Sequence, residues 1–150
     1  MAPASASEPG RGGLALIVSS GDVERVHFAL VLASAAAAIG RPVVLFFTLG
    51  ALEVLARPAE DGTPGWRAMT TADGRTAGAL DDGYAEAGVA TFEELIGACV
   101  NLDVRVIVCE MGLRARGLSP AELRGDVPME VGGVVTLLAS LPEGAHIVHV

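Results

Sequence analysis

The chain has 150 residues, the length of one ordinary domain and enough to bury a sizeable core. Its composition, 51% hydrophobic but only 4% aromatic, suits a compact α/β protein with an interior of small aliphatic groups and excludes a disordered chain. The formal net charge is -8, and the 10 cationic side chains, all arginine, are scattered without a basic block, so nucleic acid is not expected as a partner.

Residues 1–13, MAPASASEPGRGG, are small and polar with no apolar centre. They read as a disordered tail and not as a secretory signal, which implies a cytoplasmic location. LALIV (14–18) is a short strand running into the turn cluster SSGD, where Asp22 caps a helix over 23–39. The apolar run from Phe28 to Ile39 is too short for a membrane span, which needs about 20 residues. It reads as a buried helix with no stable membrane insertion, stopped by Gly40 and Pro42.

PVVLFFT (42–48) follows as a second strand, continuously apolar as strands covered on both faces are. GALEVLA (50–56) is a short helix ended by Pro58. From 58 to 90 the periodicity dissolves, giving a loop insertion that holds Trp66 and Tyr84, the only residues of their types. Two large aromatics predict partial ordering, with the segment folded over a functional site or an oligomer interface.

Order returns at TFEELIGACVNLD, where Thr91 and Glu94 have the spacing of a capping box and Leu95, Ile96 and Val100 form an inward face. A third strand spans 104–109. Next come one or two helical turns over EMGLRAR, ended by Gly117, and a short helix capped by Ser119, Pro120 and Glu122 and closed by Gly125. VPMEV (127–131) is a fourth strand, GGVVTLLASL a helix starting at Gly132 and Gly133, and AHIVHV (145–150) a last strand. Residues 14–150 thus read as a single domain. Alternating β and α elements imply a three-layer α/β/α sandwich around a mainly parallel sheet of about five strands.

In such sheets chemistry gathers beyond the carboxyl ends of the strands. Cys109 closes the third strand and sits at a helix start, where a thiolate is favoured, while Glu110 opposes that charge. Arg114 and Arg116 either fold back toward the thiol or simply complement the end of their helix. Ser20 and Asp22 line the same sheet edge or serve only as helix caps. A buried cysteine is often a plain core filler, and for Cys99, on the inward side of its helix, packing is the default. Two cysteines without a secretory signal argue against a disulfide framework. A strand of five residues also separates the pair by roughly 15 Å, so no internal bridge is expected.

His27, His146 and His149 have no metal-motif spacing with the cysteines, so no metal site is expected. Dinucleotide and phosphate-cradling glycine signatures are absent, as is the nucleophile elbow of hydrolases.

The ordered blocks GDVERVHFALVLASAAAAIGRPVVLFFTLGALEVL, FEELIGACVNLDVRVIVCEMGLRARGL and LRGDVPMEVGGVVTLLA resemble the DsrE/DsrF-like family of small sulfur-handling proteins. They are most similar to its DsrE2-type branch, on the strand end FFT and the cysteine that closes the next core strand. The resemblance covers Leu14 to Leu138. It implies a parallel-sheet sandwich, assembly into a homo-oligomer (trimer or hexamer), and a cysteine that carries sulfane sulfur as a persulfide between donor and acceptor proteins. Cys109 matches the carrier position, and Cys99 matches a second cysteine found on the preceding helix in some members of the branch.

The reading is therefore a sulfur carrier, sulfurtransferase-like if active, needing no cofactor beyond the covalently held sulfur. Met111 and Gly112 would shape the pocket, and backbone amides after the cysteine would steady the transferred sulfur's charge. The alternatives are a non-catalytic oligomeric scaffold or a small-molecule-binding module of the same fold, with Cys109 merely structural.

Overall fold

In the computed structural model, residues 12–150 are described, so most of the expected tail lies outside the described residues. Its last two residues are tied down: Arg41 Nε donates to the Gly12 carbonyl at 2.7 Å and His146 N to the Gly13 carbonyl at 2.9 Å. Five strands, β1 (Leu14–Val18), β2 (Val43–Phe47), β3 (Arg105–Cys109), β4 (Glu130–Gly132) and β5 (His146–His149), form one sheet in the order β4-β3-β2-β1-β5. Every pairing in it is parallel. Helices pack on both faces, which makes the molecule an α/β/α sandwich.

Alternation along each strand divides the core in two. One face presents Leu16, Val18, Leu45, Phe47, Val106 and Val108 to helices α1 (Val23–Ala38) and α3 (Phe92–Asn101), and this is the larger core. The other face carries Ala15, Val44, Phe46, Ile107 and Cys109, which pack with Leu137 of the short helix α5 (Val134–Ser140). Helix α1 starts where expected, with Asp22 Oδ1 accepting from Glu24 N at 3.0 Å. In the Thr91 capping box, Thr91 Oγ1 accepts from Glu94 N at 3.3 Å and Glu94 returns the bond to Thr91 N at 2.8 Å.

The segment 58–90 departs most from the sequence reading. It contains a 3-10 turn, Gly65–Ala68, and helix α2 (Ala77–Glu86), capped by Thr76 Oγ1. Helix α2 shows no apolar stripe because Ala77, Gly78, Leu80 and Asp81 are the positions it buries. One of these is a carboxylate, which accepts from Phe92 N at 2.8 Å. Trp66 is fully buried against Phe92, with ring centroids 4.6 Å apart, and Tyr84 lies over His27 at 4.4 Å. His27 Nε2 in turn donates to the Ala90 carbonyl at 2.8 Å.

A buried arginine anchors the same region. Arg124 Nη2 donates to Glu93 Oε2 and to Asp126 Oδ2, each at 2.7 Å, while Trp66 Nε1 donates to Glu93 Oε1 at 2.8 Å. Trp66 and Phe92 belong to the core on the α1–α3 face. The segment therefore covers the sheet face opposite the Cys109 side chain and does not fold over that thiol.

Smaller shifts have local causes. Residues 49–55 form a 3-10 helix, Leu49–Leu55, and the short helix after Ser119 is a single 3-10 turn, Pro120–Glu122, ending at Leu123. The fourth strand is displaced to 130–132 because its pairing is set by Ile107–Cys109 of β3, and Val127 packs in the core ahead of it. No helix among the described residues is long and apolar enough to cross a membrane.

Candidate functional site

Cys109 ends β3 and caps helix α4 (Glu110–Arg116). Its extended backbone, φ -71° and ψ 119°, turns the side chain back over the first turn, where Gly112 N donates to Sγ at 3.4 Å. A backbone N–H aimed at sulfur stabilises negative charge there. Gly117, with φ +66°, ends the helix in the left-handed conformation that glycine tolerates. Cys109 is only 1% exposed, packed with Leu137 on the α5 face of the sheet.

Around it, β2 runs out at the same edge. The last ladder pair is Phe47 with Val108, so Thr48 stands one residue further along, level with Cys109 and on the same face by alternation. Thr48 is 8% exposed, and its backbone is satisfied, N donating to the Val18 carbonyl at 2.9 Å and O accepting from Ala51 N at 3.2 Å. Its hydroxyl is not: among the described residues, Thr48 Oγ1 is the buried side-chain polar atom without a hydrogen-bond partner. Leu49, next in the chain, is held at φ +50°, a left-handed conformation unusual for a leucine.

Gly112 lets these parts meet. A Cβ on Gly112 would lie 2.7 Å from Thr48 Oγ1, 2.8 Å from Leu49 N and 3.0 Å from Leu52 Cδ1. The bare Cα allows α4 to seat against the end of β2, so Gly112 N bonds the Cys109 sulfur while the free hydroxyl occupies the space a Cβ would need.

The other candidates are placed elsewhere. Arg114, on the exposed side of α4, donates to Glu110 Oε1 at 2.7 Å, and Arg116 is ion-paired with Glu53, so neither reaches the thiol and Glu110 is engaged outward. Met111 is 63% exposed and does not line the sulfur's surroundings. Asp22 caps α1, and Ser20 Oγ accepts from Asp22 N at 3.1 Å in the turn before it. They lie in the turn after β1, a strand two spacings or roughly 10 Å from β3.

Cys99 lies across the sheet in the larger core, its Sγ donating to the Leu30 carbonyl at 3.9 Å. Burial pushes the Cys99 thiol up to about 11. Its carbonyl accepts from Val104 N, at the start of β3, so the length of a strand, roughly 16 Å, separates it from Cys109, and both thiols are free.

Sequence reasoning met Thr48 only as the last residue of the strand end FFT and gave it no role, since a threonine closing an apolar strand reads as ordinary strand composition. Nor did it find the cluster of Trp66, Glu93, Arg124 and Asp126. No group of three metal-ligating side chains comes together among the described residues.

Two solved structures share this architecture. A protein of unknown function from Methanobacterium thermoautotrophicum superposes with a TM-score of 0.58 at 16% identity, covering 93% of this chain and 99% of that one. The ychN protein from E. coli gives 0.57 at 17% identity, covering 92% and 99%. Among curated proteins no significant sequence match is found. The model of the DsrE/DsrF-like family matches residues 13–150, nearly the whole chain, and with the parallel sheet and the cysteine closing β3 it shows that the chain belongs to the DsrE/DsrF-like family.

Proposed function

We propose that the protein is a sulfur carrier of the DsrE2-type branch that holds sulfane sulfur as a persulfide on Cys109. The family suggests a sulfur-relay role. The observation that carries the finer reading is the Cys109 sulfur at a strand's carboxyl end with the Gly112 N–H directed at it. Loading is a thiolate exchange: Cys109 attacks the outer sulfur of a donor persulfide, a new S–S bond forms, the donor's S–S bond breaks, and its electron pair leaves on the donor thiolate. Delivery repeats the exchange, the acceptor thiolate attacking the terminal sulfur and Cys109 leaving. The sulfur moves without a net oxidant or cofactor.

Exchange requires access, and the cover over Cys109 is thin. Helix α5 has seven residues, of which Leu137 alone is buried. Its Val134, Val135 and Leu138 are exposed, as is Ile147 on the same side of the sheet, and this apolar surface supports a homo-oligomer. The resemblance to the branch implies a trimer or hexamer and donor and acceptor proteins as partners, placed here in the cytoplasm. A second reading, a non-catalytic oligomeric scaffold, is favoured by the burial of Cys109 itself.

The test is to incubate the native protein with inorganic polysulfide and measure intact mass. A carrier gains one sulfur that a reductant removes, retained in Cys99→Ser and lost in Cys109→Ser. A wild type that gains none supports the scaffold.

A further inference from the structure

We infer that the Thr48 hydroxyl is the hydrogen-bond donor that receives the terminal sulfur of the Cys109 persulfide. The inference rests on the carrier reading and adds the group that recognises the cargo. Its starting point is a buried polar atom with nothing to bond: Thr48 is more than nine-tenths buried and Oγ1 has no partner, although its backbone is fully engaged. Such an orphan is rare in a native interior and signals a group that acquires its partner in another state.

The surroundings say which state. Thr48 follows Phe47, the partner of Val108, and so stands beside Cys109 at the same edge and on the same face of the sheet. Both flank Gly112, whose N lies 3.4 Å from Cys109 Sγ and whose Cβ position lies 2.7 Å from Thr48 Oγ1. The Thr48 hydroxyl is unpaired in the unloaded protein, so a donor remains for a partner gained on loading. A persulfide extends the side chain by one S–S bond, about 2.05 Å. The added atom carries the negative charge, and a hydroxyl donating to an anion makes one of the stronger hydrogen bonds available. In the unloaded state Gly112 N–H holds the inner sulfur. In the loaded state the Thr48 O–H donates to the outer one.

Loading conserves atoms and charge. The Cys109 thiolate and a donor persulfide anion become a Cys109 persulfide anion and a donor thiolate; one S–S bond forms and one breaks. Thr48 neither gains nor loses its proton. It lowers the energy of the product anion and slows its loss to competing thiols.

The experiment compares wild type, Thr48→Val and Thr48→Ser, each loaded with inorganic polysulfide, cleared of excess reagent and followed by intact mass as the bound sulfur decays in a fixed concentration of a small thiol. Valine keeps the shape and removes the hydroxyl. Its persulfide is expected to decay about tenfold faster or more, the scale of a hydrogen bond to a charged group. Serine, which restores the donor, should return the rate to within about threefold of wild type.

Thermal melts of the unloaded proteins separate this from damage to the fold. Because valine removes an unsatisfied buried hydroxyl, Thr48→Val should melt no lower than wild type. Wild-type decay kinetics in Thr48→Val, or failure of serine to restore them, would overturn the assignment while leaving Cys109 as carrier. A wild type that never acquires a sulfur would overturn the carrier reading itself.

Discussion

Gly112→Ala tests whether α4 is seated against β2 as closely as the geometry requires. The new Cβ would meet Thr48 Oγ1 at 2.7 Å and the Leu49 backbone nitrogen at 2.8 Å. A backbone atom cannot swing aside, so α4 or the turn at Leu49 must move by roughly half an ångström or more to restore ordinary contact. Two effects oppose each other. Alanine in a helix gains about 0.5–1 kcal/mol over glycine, while overpacking a close-packed site costs about 1–3 kcal/mol. The steric term wins here, because Gly112 is buried and two of its three close contacts are below 3.0 Å.

A net loss of about 1–2 kcal/mol lowers the melting temperature by about 2–8 °C in a chain of this size. Gly83→Ala in α2 and Gly97→Ala in α3 are the controls: each glycine lies in a helix, and a Cβ there meets nothing within 4 Å. Both should raise the melting temperature by a few degrees. Circular dichroism melts of the three variants measure the contrast. A Gly112→Ala protein that melts at or above wild type would refute the close seating, and with it the approach of Gly112 to Thr48.

Other outcomes follow from the charges and exposed faces. Arg124→Ala should cost about 2 kcal/mol, below the range for fully buried pairs because Glu93 and Asp126 reach solvent, and Trp66 fluorescence should report the loosening. Burial pushes the Glu93 carboxyl up, but hydrogen bonds from Arg124 and Trp66 outweigh it and hold the group below its usual 4.5. The Arg124 hydrogen bond likewise holds Asp126 below 3.8. Depressed carboxylates stabilise the fold above their unfolded values, so this contribution is intact at neutral pH and fades as pH falls below about 4; a melting temperature that rises on acidification would contradict it. With its thiol near 11, Cys99 should resist alkylation in native protein at neutral pH and react after unfolding, as mass-mapped iodoacetamide labelling will show. Val135 is 81% exposed on α5, so Val135→Asp should dissociate the proposed oligomer in light scattering without lowering the monomer's helical content.

The sequence carried strong signals where a local rule and the tertiary structure agree. Asp22, the Thr91–Glu94 box and Gly117 mark helix ends through bonds or φ values that involve only their neighbours, so the chain order shows them directly. Helix α2 was hidden because one of its inward positions is Asp81, buried by its bonds with Phe92 N and Arg67 and not by hydrophobicity. The Arg124 cluster joins residues 27 and 31 positions apart, and no periodicity records such a meeting. Cys109 could be placed at a strand end from pattern alone. The orphan hydroxyl beside it could not, because it arises from the approach of Gly112, 64 positions further along the chain, to a threonine that reads as one more strand residue.

Burial does not distinguish the two cysteines, since both are nearly inaccessible. Their partners do. The Cys99 sulfur faces the Leu30 carbonyl and a lining of Leu45, Phe47, Ile96 and Val106. Negative charge on that sulfur would sit in a medium that cannot solvate it, and burial therefore pushes the thiol up. At Cys109 an amide donates to the sulfur, and the neighbouring strand end carries a hydroxyl with a hydrogen to give. Their covers differ as well: Cys99 lies inside the larger core between α1 and α3, whereas Cys109 lies beneath a helix anchored by one leucine. Local opening costs least where few apolar contacts are lost, so of two equally hidden thiols the one with donors around it is also the one whose cover yields first.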